Sequence, residues 1–311
     1  MAQVTMQLVK ELRDRTQAGL ADCKSALAEA EGDIEKAIEV ILKKGLAKSA
    51  KRAGNAAAEG EVAAKVAADG KSGVLVEVNI QTDFAARNAD FKAFVEQVLL
   101  AAEAAPEGAD LGAEPYPAGG GSVEEVRAAL VGKLGENVIV RRWARLRVEG
   151  AGVVRSYVHM GGKVGVLLSA QLGDEAALKK PELDKFLDDS AMQAAAMAPL
   201  FLNKEQVDQA LVAKQEEIFG AQLAEEGKPE AARPKIIEGK VAKWLREVCL
   251  VEQASVIETG KTVDELRADT QAAIGTSLTL LDMARFERGE GVEKKEDDFA
   301  SEVAAMATGQ A

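Results

Sequence analysis

The chain carries one histidine, His159, and two cysteines, Cys23 and Cys249. The side chains that most often supply acid–base, nucleophilic or metal chemistry are therefore nearly absent. There is no zinc motif, no serine elbow and no dinucleotide fingerprint. Two tripeptides, Gly70-Lys71-Ser72 and Gly260-Lys261-Thr262, have the ending of a nucleotide phosphate loop. Each lacks the upstream glycine, with Lys65 and Ser255 in that place, so neither is expected to cradle phosphates, and no direct nucleotide binding is expected. With 51 acidic side chains, carboxylate pairs carry no information. What remains is a residue that makes and breaks no bonds: Phe84, in the loop Thr82-Asp83-Phe84-Ala85. A large apolar side chain among polar neighbours either packs under its own helix or inserts into another molecule.

A duplication in the chain bears on that choice. Gly60 to Phe94 lies over Gly152 to Phe186, 92 residues apart, without a gap. Val62 falls on Val154, Gly70-Lys71 on Gly162-Lys163, and Gly73-Val74-Leu75 on Gly165-Val166-Leu167. Such a register predicts a strand–turn–strand–loop–helix unit. Where the first copy has Phe84 the second has Ala176, so the fold itself does not require the phenylalanine, which favours insertion into a partner.

The elements that must position this loop can be placed from periodicity. Val4, Leu8 and Leu12 open a helical stripe, and Thr16 to Gly19 break it. Cys23, Ala26, Leu27 and Ala30 form a second stripe that ends at Gly32. Asp33 is placed to cap a third helix with Ile34, Ala37, Ile38, Ile41 and Leu42. Three short helices make a small bundle without a concave pocket, suited to protein contact. Val74, Val76, Val78 and Ile80 alternate as a strand; Thr82 is placed to cap a helical turn after it, and Phe91 to Ala102 trace a helix. The stretch from Ala104 to Ser122, with three prolines and Gly119-Gly120-Gly121, reads as a mobile surface loop. Ser122 with Glu125, and Thr262 with Glu265, are capping boxes. From Val138 to Val148 the pattern is a strand, with Arg141, Arg145 and Arg147 read as its solvent face rather than a basic strip for RNA. Val207, Leu211, Ile218 and Ala221, answered by Ile237, Val241, Trp244 and Val248, read as the seam of an antiparallel helical hairpin. A strand-like run through Leu278, Leu280 and Phe286 and a last helix with Phe299, Val303 and Met306 read as a separate C-terminal packing module.

The 311 residues suffice for two or three compact units, and the net charge of −12 is uneven. Residues 1–55 carry ten Lys and Arg against eight Asp and Glu, leaving about −14 for the rest. Nucleic acid is a poor partner for so acidic a surface. The run Lys43, Lys44, Lys48, Lys51 and Arg52 reads as a solvated helix end. The expected class is α+β, soluble and cytoplasmic, with no signal peptide, membrane span, disulfide scaffold, metal or cofactor. His159 is either a satisfied structural histidine or an interface contact.

Taken in order, Leu8-Val9-Lys10-Glu11-Leu12-Arg13, Asp22-Cys23-Lys24, Gly32-Asp33-Ile34-Glu35, Gln81-Thr82-Asp83-Phe84, Gly135-Glu136-Asn137, Arg141-Arg142 and Gly289 to Lys294 with Asp298-Phe299-Ala300 resemble the bacterial elongation factor Ts family over essentially the whole chain. The resemblance implies an N-terminal bundle like a ubiquitin-associated domain (1–55), a core N-subdomain (56–150), a core C-subdomain beginning at 151–202, a coiled-coil hairpin (203–258), and the rest of that subdomain with a C-terminal module (259–311). It implies guanine-nucleotide exchange on GDP-bound elongation factor Tu, without enzymatic chemistry, and allows a two-plus-two assembly with that partner. Thr82, Asp83, Phe84 and Ala85 would dislocate the partner's Mg2+, the phenylalanine wedging between its helices. Arg13, Leu20 and Ala21 would form secondary contacts, and His159 would match a core position near the interface. Ala85 stands where the family usually has Val, Gln253-Ala254 replaces a usual Gln-Pro, and the 104–122 loop is unusually rich in Gly and Pro. The competing reading is an RNA-binding translation or assembly factor using the basic segments.

Overall fold

The computed structural model describes residues 4–16 and 18–292. The last helix expected from Phe299, Val303 and Met306 lies outside them. The architecture is α+β. Helices α1 (Met6–Thr16), α2 (Leu20–Glu29) and α3 (Ile34–Arg52) form the expected bundle. Its core is Val9, Leu12, Cys23, Ala26, Leu27, Ala37 and Ile41, and Asp33 caps α3 by accepting from the Lys36 N–H at 3.1 Å. The helix runs further than its apolar stripe suggested, and the Lys43–Arg52 run is not simply a solvated end. Gly45 and Ser49 are buried against α6 (Val123–Leu134), because only a small residue lets the two backbones approach so closely. Lys48 pairs with Asp22 at 3.1 Å and Lys44 with Glu29 at 2.9 Å.

Two three-stranded antiparallel sheets come next, β1-β2-β3 and β4-β5-β6. The first comprises β1 (Glu59–Val66), β2 (Ser72–Ile80) and β3 (Val138–Arg147); the second β4 (Gly152–His159), β5 (Val164–Leu172) and β6 (Leu278–Glu287). Short α4 (Asp83–Ala86) and α5 (Ala89–Ala104) succeed β2, and α7 (Pro181–Met197) succeeds β5 at the equivalent place. The duplication extends further than the 35-residue overlay. α10 (Val263–Ile274) answers α6, each opened by its capping box, and each closed by a left-handed glycine, Gly135 and Gly275. Both sheets carry a bulge at the same step, Glu77/Val78 and Ser169/Ala170. Arg145 donates to the carbonyls that end α5, and Arg285 to the Ala195 carbonyl at the end of α7. The run from 259 to 287 is thus not a separate module: α10 and β6 complete the second sheet and its core.

The two copies pack about an approximate twofold. Val62 N–H donates to Gly162 O at 2.8 Å, and Val154 N–H to Gly70 O at 2.8 Å. Gly73 and Gly165 repeat because each faces the other copy's valine: a Cβ there would lie 2.9 Å from Val154 and 2.5 Å from Val62. Between the sheets lie Val62, Leu75, Leu146, Val148, Val154 and Leu167.

The second copy is interrupted by α8 (Gln209–Glu225) and α9 (Arg233–Val248), packed as the expected hairpin. On the α9 side Ile237, Val241, Trp244 and Val248 turn inward as expected, but on the α8 side the seam is shifted. Asp208 caps α8 by accepting from the Ala210 N–H, so Val207 lies before the helix, and the helical phase turns Val212, Phe219 and Leu223 inward. Leu211 and Ile218 face out, 37% and 42% exposed. The 104–122 loop is also packed rather than free: Leu111 is buried, Tyr116 stacks on Phe94, the Trp143 Nε1–H donates to Ala109 O at 3.0 Å, and Pro115 bridges Ser122. Its Pro106-Glu107-Gly108 corner and the tip from Pro117 to Gly121 are the longest exposed stretches.

Candidate functional site

Strand β2 ends at Ile80, buried, and the chain must leave the sheet to reach α5. Thr82 makes the exit by capping α4: its Oγ accepts from the Ala85 N–H at 3.2 Å. One turn of helix then puts consecutive side chains in opposite directions. Ala85 and Ala86 turn inward onto the core under β2, whereas Phe84 points out, 82% exposed. Phe84 does not pack under its own helix. Asp83 lies beside it, paired with Arg87 at 2.8 Å. Both ends of that ion pair are accessible, so it holds the loop weakly and can be exchanged for a partner's groups. In the second copy Asp174 caps a 3-10 turn at the equivalent place, and Ala176 occupies the position of Phe84.

The loop is anchored from behind. Glu136, just after α6, accepts from the Thr82 N–H at 3.0 Å and from the Thr82 hydroxyl at 2.7 Å. Buried Asn137 donates its N–H to Gln81 Oε1 at 2.7 Å and its amide to Asn55 O at 2.9 Å. Neither anchor was recognised in the sequence, although Gly275-Thr276-Ser277 in the second copy, set against Gly135-Glu136-Asn137, marks where the copies diverge.

Arg13, Leu20 and Ala21 are all exposed around the turn between α1 and α2. Helix α6 borders both this turn and the Phe84 loop. Its Ala129, Gly132 and Lys133 line a narrow cleft with Ala18, Gly19 and Asp22 of the bundle, and the residues after it hold Thr82. His159 ends β4 in an exposed turn rather than in a core, its Nδ1 sharing a 2.9 Å hydrogen bond with the Tyr157 hydroxyl. The turn it begins reaches β1 through Gly162 O, and α4 packs on the same strand.

The arginines of β3 are neither a solvent face nor an RNA strip. Arg141 and Arg142 reach the fully buried Glu77 at 2.9 and 2.6 Å, and Arg145 is consumed by the end of α5; of the set only Arg147 stands exposed. Burial pushes the Glu77 carboxyl up, but the Gly289 N–H, both guanidinium groups and Asn79 together hold it below the usual range. Of the phosphate-loop look-alikes, Lys71 donates to Gly150 O and Gly152 O, each at 2.7 Å, and Lys261 pairs with Glu258 and Asp269. Among the described residues no group of three or more His, Cys, Asp and Glu is placed to hold a metal ion, and no helix is long and apolar enough to cross a membrane.

An exposed phenylalanine on a braced loop, with no catalytic constellation near it, suits a surface that acts on a partner. Residues 81–290, from the root of that loop to the turn capping Glu77, match the family model Elongation factor TS. The chain belongs to the elongation factor Ts family. It is 46% identical over 305 residues to an elongation factor Ts of Clostridium perfringens (strain SM101 / Type A), covering 97% of this chain and 99% of the relative. Against an elongation factor Ts of Clostridium kluyveri (strain ATCC 8527) it is 45% identical over 312 residues, 99% and 100% of the two chains. A relative of the same name from a Nitratiruptor species is 45% identical over 301 residues, 96% of this chain and 97% of the relative. Membership makes the chain an elongation factor of protein biosynthesis, a nucleotide-exchange factor and not an enzyme.

Proposed function

We propose that the chain binds GDP-bound elongation factor Tu and releases its GDP by inserting Phe84 into the partner's nucleotide-binding domain, dislocating Mg2+. The observation that carries this reading is the exposure of Phe84 on a loop braced by its own fold, with Ala176 at the matching place in the second copy. Burying one such side chain is worth about 1.5–3 kcal/mol, enough to favour an altered partner conformation by an order of magnitude or more. Asp83 and Thr82 would meet polar groups at the rim of the insertion, with the backbone at Ala85 beside them. Arg13, Leu20 and Ala21 on the UBA-like bundle and His159 at the β4 turn would form secondary contacts. Because the coupling is reciprocal, nucleotide weakens the factor's hold on its partner, so the factor turns over. No nucleotide contacts this chain in the scheme.

The test is release of a fluorescent GDP from purified elongation factor Tu. Substoichiometric amounts of the chain accelerate release without hydrolysis, and the fold acceleration shrinks as Mg2+ is withdrawn, because the step the chain drives has then already occurred. No acceleration at any Mg2+ concentration refutes the proposal. An RNA-binding role would instead give steeply salt-dependent RNA affinity without a protein partner. The internal engagement of Arg141, Arg142 and Arg145 argues against it.

A further inference from the structure

We propose that Glu136 is a positioning residue for exchange: it fixes the direction in which the Phe84 loop presents its side chain. The inference rests on the exchange reading above. Helix α4 is a single turn of four residues, too short to persist by itself, and Phe84 makes no packing contact that would orient it. Its direction is set by Thr82, whose hydroxyl is used twice: it accepts from the Ala85 N–H and donates to Glu136. A hydroxyl has one proton, so a carboxylate at Glu136 determines where that proton goes and leaves an oxygen lone pair for Ala85. The other carboxylate oxygen takes the Thr82 N–H at 3.0 Å, so both polar groups of the residue that starts the loop end on one side chain. Behind it, Gln81 Oε1 receives both Asn137 N–H and the Asn55 amide.

The second copy is the internal control. There Gly173 stands for Gln81, Asp174 for Thr82, and Thr276-Ser277 for Glu136-Asn137. One backbone bond, Gly173 N–H to Ser277 O at 3.2 Å, replaces the whole arrangement. The brace occurs where the loop bears phenylalanine and is missing where it bears alanine. A side chain held in its inserting direction before contact has less freedom to lose on contact, which raises the maximal exchange rate.

The experiment measures GDP release from elongation factor Tu across factor concentrations for the full chain and its variants. Glu136→Ala lowers the maximal rate about three- to tenfold with the thermal midpoint nearly unchanged. Glu136→Gln, whose carbonyl still accepts from the Thr82 N–H, recovers to within about twofold of the unaltered chain. In a Phe84→Ala background, Glu136→Ala costs less than about 1.5-fold more, because there is nothing left to aim. Full activity of Glu136→Ala overturns the proposal, as does a loss of equal size with and without Phe84, which would mean direct contact with the partner. Should Glu136→Ala fail to fold, the same cycle is run with Glu136→Asp, which keeps the charge but withdraws it by one methylene, and non-additivity decides. An unaltered chain that leaves GDP release unchanged overturns the exchange reading itself, and this proposal with it.

Discussion

Replacing Phe84 by alanine separates what the side chain does for the fold from what it does for a partner. At 82% exposure it contributes little to the folded chain, so Phe84→Ala should shift unfolding free energy by no more than about 0.5 kcal/mol. If the same surface is buried on insertion, the lost transfer free energy is about 1.5–3 kcal/mol. At about 1.4 kcal/mol per tenfold, that is roughly a 10- to 150-fold loss in stimulated GDP release. The polar partners of the loop should survive, since Thr82 and Ala85 bond through groups that the substitution does not touch. The assay is stopped-flow release of fluorescent GDP from elongation factor Tu at several Mg2+ concentrations, with a denaturation curve on the same preparations. A variant that exchanges like the unaltered chain refutes insertion by Phe84, and a large loss of stability refutes the claim that the fold does not need it.

Glu77→Gln should destabilise the chain by on the order of 3 kcal/mol near pH 7, because it leaves Arg141 and Arg142 without the buried carboxylate between them. Since the folded carboxyl titrates below its unfolded value, its contribution is complete above about pH 4.3 and is lost as pH falls through the folded pKa. Urea midpoints measured downward from pH 6 should therefore fall more steeply for the unaltered chain than for Glu77→Gln, and parallel curves would contradict the assignment. Gly45→Leu should cost about 1–2 kcal/mol in chemical denaturation, since even a Cβ there lies 3.3 Å from the Ala128 carbonyl and outweighs the gain in helix propensity; a stabilised variant would show that α3 and α6 can separate freely. Burial raises both thiols, Cys249 to about 11 with Glu252 adding to the effect, so a disulfide reagent at pH 8 should label neither cysteine until denaturant is added. Rapid labelling of the native chain would mean that the bundle or the root of the hairpin opens.

Local signals in the sequence are reliable where one residue's chemistry decides the backbone. Asp33, Thr82, Ser122 and Thr262 cap helices in the structure as their types and neighbours imply. They fail where packing partners decide. The α8 side of the hairpin seam is displaced because a short apolar pattern fits more than one helical phase, and the cap at Asp208 selects another. The loop from Ala104 to Ser122 has a mobile composition, yet Leu111, Tyr116 and the Trp143 indole hold it through contacts distant in sequence. The arginines of β3 alternate as a solvent face would, and no local rule places a glutamate of the neighbouring strand beneath them.

By itself the sequence determined the α+β class, the duplicated strand–helix unit, the absence of catalytic apparatus and the singular position of Phe84. Each arises from residue type at fixed spacing, which acts through the chain's own covalent geometry. Tertiary structure alone decided that Phe84 faces solvent, that Glu136 and Asn137 brace its loop across more than 50 residues, and that Glu77 ties the first sheet to the turn after β6. The brace depends on how α6 and β3 close back onto the end of β2 within the first copy, and the Glu77 tie on how the two copies meet. A carboxylate does not find its partner through spacing along a chain; it finds the donor that folding has brought within about 3 Å.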